Sequence, residues 1–297
     1  MHSILTISIA LISISILNVG YTNKTRNWDY LQLVLVWPPS YCTHNPCNLH
    51  PGLDDFIIGG FRPTIRPYIQ QTNCSNDKQF NMSYIMRAKS KLEKKWPNLT
   101  DYTNSEGLWE SEWNHHGRCA VQARSTRNQH RYFKAALSLL DNLDLLDKLD
   151  DYGIEPDSET LVRKKQFLKT IRRVYNVRTL LKCIPFNGKK PDYEYTSSKD
   201  KYVQTQIFSE ITRNQTQFYQ LNEVIFCYNS KLQLINCSKL MNNEYHECNN
   251  GFIFKEFNDS LDDDDNHRDD DDDDDDDNKN DKKHKYDDDN DDDDDKD

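Results

Sequence analysis

The residues best placed to do chemistry lie in one run, Leu108-Trp109-Glu110-Ser111-Glu112-Trp113-Asn114-His115-His116-Gly117-Arg118-Cys119. On a helix, Glu112 and His116 stand four apart and share a face. A carboxylate so placed can orient and charge-stabilise an imidazole, which makes an acid–base pair. Spacing alone is weak evidence, because such Glu–His pairs also occur on surfaces with no role. The two Trp and the terminal Cys strengthen it, since they would anchor the helix in a core and a disulfide and hold the pair rigid.

The flanking sequence predicts the elements that must carry this helix. Leu31–Trp37 is a β-rich apolar run stopped by Pro38-Pro39 and reads as a buried strand. Residues 40–78, rich in Pro, Gly, Asn and Cys, read as loop. Helices are expected over 80–96, ending at Trp96-Pro97, and over 105–118, with Ser105 as a possible cap. Two more run from about Gln129 to Leu149 and, beginning after Pro156-Asp157-Ser158, to about Tyr175. Strands follow at Thr179–Ile184, Tyr202–Ile211, Glu223–Tyr228 and Leu232–Cys237, the last two forming a hairpin around Asn229-Ser230. Strands, then helices, then strands indicate an α+β fold.

Composition divides the 297 residues into three. Residues 1–20 carry no Asp, Glu, Lys or Arg, and the apolar stretch Ile4–Leu17 fits a signal-peptide core too short for a membrane span. Residues 259–297 hold 24 Asp against six Lys or Arg, a net of −18. The whole chain is −11, so residues 1–258 carry +7 and a basic body is joined to an acidic tail. Such a tail cannot bury enough apolar surface to offset its ordering entropy and is expected to be disordered. Residues 21–258 suit one domain with one core.

Cys42, Cys47, Cys74, Cys119, Cys183, Cys227, Cys237 and Cys248 make an even count behind a signal peptide, which points to four disulfides in an oxidising compartment. Sequence arithmetic leaves their pairing open, and the absence of a CxxC pair speaks against a zinc or thioredoxin-type site. Glycosylation sequons start at Asn23, Asn73, Asn81, Asn98, Asn214, Asn236 and Asn258. Together these features predict a secreted or secretory-pathway protein that is not membrane-bound.

The run Leu108–Cys119 resembles the second active-site segment of the ribonuclease T2 family, WxHEWxKHGxC, at Trp109, Glu112, Trp113, His116, Gly117 and Cys119. Trp37-Pro38 followed by Cys42 is similar to that family's WPxxxC, and Lys182-Cys183-Ile184-Pro185 to a later strand. Phe56-Ile57-Ile58-Gly59-Gly60-Phe61-Arg62-Pro63 falls where the family has FTIHGLWP, agreeing at Phe56, Ile58, Gly60 and Pro63. The resemblance spans residues about 28 to 255. It implies an antiparallel sheet flanked by helices and the disulfides Cys42–Cys47, Cys74–Cys119, Cys183–Cys248 and Cys227–Cys237. It also implies RNA cleavage through a 2′,3′-cyclic phosphate, with no metal and no cofactor.

Carried over position by position, the resemblance implies that His116 is the base and Glu112 helps stabilise the phosphorane. The acid position is Gly59, which has no proton to give. Ser111 stands where a His binds phosphate, His115 where a Lys stands, Arg62 where a Trp stacks on a base, and Leu108 where a Phe lines a base pocket. A retained framework around a dismantled centre suggests a protein that binds RNA or another polyanion with catalysis lost or strongly impaired. Arg62, Arg66 and Arg118 are the expected contacts. His50, nine residues before Gly59, is expected to be a solvated loop residue rather than a substitute acid. A slow acid endoribonuclease is the alternative. A third reading gives the function to the tail, as a diffuse sink for Ca²⁺ or a screen of the basic body, against a bland solubilising role.

Overall fold

A computed structural model describes residues 26–66, 69–75, 78–186, 217–237 and 248–257. The expected leader, the acidic tail, the strand expected over Tyr202–Ile211 and the sequons at Asn23, Asn214 and Asn258 lie outside them.

The first apolar run forms strand β1 (Tyr30–Val36), in which all seven residues are buried. Leu31, Leu33 and Leu35 enter the main core, while Val34 and Val36 join a smaller apolar cluster with Ile57, Leu99 and Ile225. Both faces of the strand are therefore covered, which is why it reads as a continuous apolar run. Pro38 and Pro39 then start a short helix, α1 (Pro38–His44), their missing N–H groups costing nothing in its first turn.

The stretch expected to be loop contains the second long strand, β2 (Ile57–Ile65), which pairs antiparallel with β1. Gly59-Gly60 and Pro63 resemble a turn, yet they sit in a strand because β1 supplies the partner and Ile58 and Phe61 are buried in the main core. Short β3 (Ile69–Gln70) extends its edge.

Helices cover the main face. Residues 82–88 form two 3₁₀ turns before α2 (Lys89–Lys95), which stops ahead of Pro97 as expected. Helix α3 (Ser105–Glu112) runs directly into a π turn, Trp113–Gly117, and then α4 (Arg118–Ala120). Ser105 does not cap α3. Its hydroxyl donates to Tyr102 O and accepts from Asn98 N–H, tying two loops together. The single helix expected over 129–149 is two, α5 (Gln129–Leu143) and α6 (Leu145–Asp150), broken where Asp144 takes a left-handed conformation at φ 48°. The helix expected after Pro156 begins later. Residues Asp157–Arg163 form β4 instead, because β8 (Gly251–Phe254) lies alongside, and α7 (Lys164–Tyr175) follows.

Strand β5 (Leu180–Pro185), β6 (Tyr219–Tyr228) and β7 (Leu234–Ile235) complete the sheet. Its main path is β3-β2-β1-β6-β8-β4, with β5 and β7 also on β6. All pairings are antiparallel except that of β6 with β8. The hairpin at Asn229 is present, with Asn229 N–H donating to Gln233 O. The architecture is the expected α+β sheet flanked by helices.

All eight cysteines are paired, as Cys42–Cys47, Cys74–Cys119, Cys183–Cys248 and Cys227–Cys237. These are the pairs the family resemblance implies. Among the described residues, no helix is long and apolar enough to cross a membrane.

Candidate functional site

The helical side of the site is held by tryptophans. Trp109 and Trp113 are buried, and their indole N–H groups donate to Trp96 O at 2.8 Å and Lys78 O at 2.9 Å. Burying a large ring while satisfying its one donor fixes both the depth and the rotation of α3. Cys119 ties the far end to Cys74. Between these anchors the backbone widens into the π turn, a form that appears mostly as single turns inside α-helices and frequently at functional sites. Gly117 permits it, since a Cβ there would lie 2.3 Å from Trp113 Cε3.

The sheet side is set by a β-bulge. Val34 pairs with Gly60 and Leu35 with Ile58, so Gly59 is an extra residue without a partner on β1. Bulges of this kind re-aim side chains and are common beside active sites. Here there is no side chain to aim. A Cβ on Gly59 would meet Val36 Cγ2 at 2.4 Å, so the space is filled from β1. Tyr132 OH donates to Phe61 O at 2.5 Å and locks β2 to α5.

Arg62 occupies what remains. Its Nη2 donates to Gly59 O at 3.1 Å, and its side chain folds over Gly60, where a Cβ would fall 2.4 Å from Nε. Arg62 thus lies back along its own strand over Gly60, with its guanidinium on the Gly59 carbonyl. A cleft of about 310 Å³ is lined by Gly59, Arg62, Leu108 and Glu112 together with Val34, Val36, Asn98 and Glu223. Gly59, Arg62, Leu108 and Glu112 therefore share one cavity, although they come from two segments far apart in sequence.

The expected Glu112–His116 pair does not form. The π turn breaks the α-helical register on which the shared face depended. Glu112 is buried, and the groups that act on it are Arg62, His115 and the Phe61 N–H, while its Oε2 has no hydrogen-bond partner. Burial raises its pKa above the ordinary carboxylate value, against the lowering pull of those three. His116 points elsewhere, with Nδ1 3.3 Å from Gln71 O. A carbonyl only accepts, so Nδ1 carries the proton and Nε2 keeps the lone pair. Burial, and then the nearby Arg62 charge, lower the His116 pKa to about 4.

The remaining candidates scatter. Ser111 and His115 are exposed and bonded to each other's helical turn, with His115 Nδ1 donating to Ser111 O at 2.7 Å. Of the three arginines, only Arg62 lines the cleft; Arg66 is exposed, its backbone N–H on Asp29 Oδ2, and Arg118 is half-buried outside the cleft wall. His50 lines a separate hollow with Asp54, Asp55 and Lys95, and its ring lies edge-on to Tyr102. It does not line the cleft that holds Gly59. Sequence reasoning missed Val36, Asn98 and Glu223 as cleft walls, since nothing local in sequence marks a residue that meets the site only through strand pairing and loop packing.

Residues 28–237 match the family model described as the Ribonuclease T2 family. Ribonuclease 1 of Arabidopsis thaliana is 33% identical over 165 residues, covering 53% of this chain and 70% of that protein. Ribonuclease T2 of Homo sapiens is 29% identical over 203 residues, covering 67% and 72%. Among solved structures, RNase NT in complex with 5′-AMP superposes with a TM-score of 0.59 at 22% identity, covering 78% of this chain and all of that one.

Proposed function

The chain belongs to the ribonuclease T2 family, and from that premise we propose that it is a secreted, glycosylated member that binds RNA or another polyanion while its cleavage chemistry is lost or strongly impaired. One observation carries the reading. At the position we assign to the family acid the backbone is Gly59, the space for a side chain is filled by Val36, and the Arg62 guanidinium sits on the Gly59 carbonyl.

The chemistry explains why that matters. Attack by a ribose 2′-oxygen needs a base for its proton and an acid for the departing 5′-oxygen, each typically worth ~10²–10⁴ in rate. His116 Nε2 keeps its lone pair above about pH 4, the state a base needs, but the ring is turned to Gln71 O and does not line the cleft. Arg62 cannot release a proton, so it cannot serve as acid, but its planar guanidinium suits a phosphate oxygen. The cleft then holds a phosphodiester without completing its cleavage. Four disulfides and the leader at residues 1–20 support passage through an oxidising compartment. A relative solved with 5′-AMP supports a nucleotide as the bound chemistry.

The test is binding of a labelled RNA oligonucleotide by fluorescence anisotropy, comparing the wild type with Arg62→Gln. Loss of a charge-assisted contact is expected to weaken binding about tenfold or more. Equal affinity in both proteins removes Arg62 from the binding role.

A second reading, a slow acid endoribonuclease, is favoured by the opposite shifts of Glu112 and His116. Burial moves the Glu112 carboxyl up and the His116 imidazole down, the direction that separates an acid from a base. That reading requires activity that rises as pH falls and disappears in Glu112→Gln.

A further inference from the structure

We propose that Asn98 carries an N-linked glycan and that this glycan screens the Arg62 cleft. The inference rests on the reading of the protein as a secreted RNA-binding chain and adds a modification that controls access to its cleft.

Asn98-Leu99-Thr100 is a sequon, and Asn98 itself lines the cleft with Arg62 and Glu112. The acceptor amide is held in a compact turn. Asn98 Oδ1 accepts from the Thr100 N–H at 3.1 Å and from the Thr100 hydroxyl at 2.8 Å. Polarising the amide oxygen in this way leaves Nδ2 as the free end, with only a long 3.4 Å contact to Asn104 O. A glycosylated Asn keeps one N–H on Nδ2, so even that contact can persist.

The other described sequons lack this combination. Asn73 and Asn236 each precede a disulfide-bonded cysteine, and Asn236 Oδ1 is engaged by the Arg178 N–H. Asn81 is exposed and accepts from the Ser83 N–H, but it lines a different hollow, beside Tyr84 and His130.

The position is also rigid. Asn98 N–H donates to Ser105 Oγ at 3.0 Å, Leu99 O accepts from Asn48 N–H at 2.9 Å, and neighbouring Trp96 O holds Trp109 Nε1. A glycan attached here cannot swing away with a mobile loop. Its first sugars stand at the cleft wall, beside Arg62, where an RNA phosphate has to enter. In the transfer, Asn98 Nδ2 gives up one proton and bonds to the anomeric carbon of an oligosaccharide carried on a lipid pyrophosphate, which leaves as the lipid pyrophosphate.

The experiment uses the full chain secreted from eukaryotic cells, as wild type, Thr100→Ala and Thr100→Ser. Thr100→Ala removes the sequon and leaves Asn98 in place, while Thr100→Ser keeps the sequon and the hydroxyl. Glycopeptide mass spectrometry reads occupancy at Asn98 and Asn81, and stopped-flow anisotropy reads association with a labelled RNA oligonucleotide. The expected result is occupied Asn98 in wild type and Thr100→Ser, with association about fivefold faster in Thr100→Ala, as steric access is restored. Asn81 occupied with Asn98 bare overturns the glycan screen and leaves the secretory reading standing. Both Asn98 and Asn81 bare likewise overturns the glycan screen. Occupied Asn98 with equal association in all three proteins overturns the screening role alone. No RNA binding by any of them overturns the screen together with the binding function it serves.

Discussion

Val36 Cγ2 lies 2.4 Å from where a Cβ on Gly59 would stand, so β1 has closed over that side-chain position. On the proposed reading, in which Gly59 stands at the acid position, the loss is built into two strands. Restoring His at 59 and 111 alone forces Val36 to move in a packed cluster, a change that typically costs 1–3 kcal/mol. Gly59→His with Ser111→His is expected to recover little RNA cleavage. Adding Val36→Ala is expected to raise the rate further, limited by Arg62 and Leu108 in the base sites. Equal rates with and without the Val36 change, measured on the same RNA, would show that the space was never the obstacle.

The buried ionisable groups make opposite contributions to stability against pH. His116 has its folded pKa lowered to about 4 from 6.5, so the unfolded chain binds more protons between those values. Its contribution rises as pH increases from about 4 to 6.5, by about 3 kcal/mol at most. Glu112 has its folded pKa raised above 4.5, so its contribution is present below that value and is lost as pH rises through the folded pKa. Denaturant titrations at several pH values should show His116→Gln flattening the acid side of the profile and Glu112→Gln stabilising the protein at neutral pH. A profile unchanged by either substitution contradicts the burial of these groups.

The Cys74–Cys119 bridge closes 45 residues and pins the end of the π turn to the chain that follows β3. Loop-closure entropy puts its contribution at about 4 kcal/mol. The double Ala variant should be poorly secreted and melt at a lower temperature. Secretion and melting like the wild type would show that the Trp anchors suffice without it.

Gly117→Ala isolates the π turn itself. The added methyl would lie 2.3 Å from Trp113 Cε3, and Trp113 is 1% exposed, so neither side can yield cheaply. A destabilisation of about 1–3 kcal/mol is expected, with weaker RNA binding as Glu112 shifts. The corresponding change at Gly153, an exposed turn glycine with open space around it, is strained by its φ of +65° but should leave RNA binding intact.

The parts of the fold visible in sequence were those fixed by local signals. The unbroken run of β1, the Trp96-Pro97 stop and the hairpin at Asn229 are of this kind, while the cysteine pairs came from the family resemblance. Strand β2 was not visible, because Gly59, Gly60 and Pro63 mark a turn unless a partner strand is known. Strands β4 and β8 each needed the other. The left-handed Asp144 that splits α5 from α6 has no strong signature in an otherwise helical stretch. At the site, residue types were legible and directions were not. Glu112 and His116 were read as a pair from α-helical spacing, and the π turn undid that spacing. Arg62 was expected beside the site as a polyanion contact, but sequence did not show that its side chain folds back over Gly60, next to the bulge.

The central claim is that a T2 framework has been kept while its cleavage centre has been closed. The most direct test is the rate of RNA cleavage by the purified full chain from pH 4 to 8, beside an intact family member. The account predicts a rate at least about a thousandfold lower at every pH, since it puts Gly59 and Ser111 where the family's acid and phosphate-binding His stand. Turnover matching the intact enzyme at any pH in that range contradicts it.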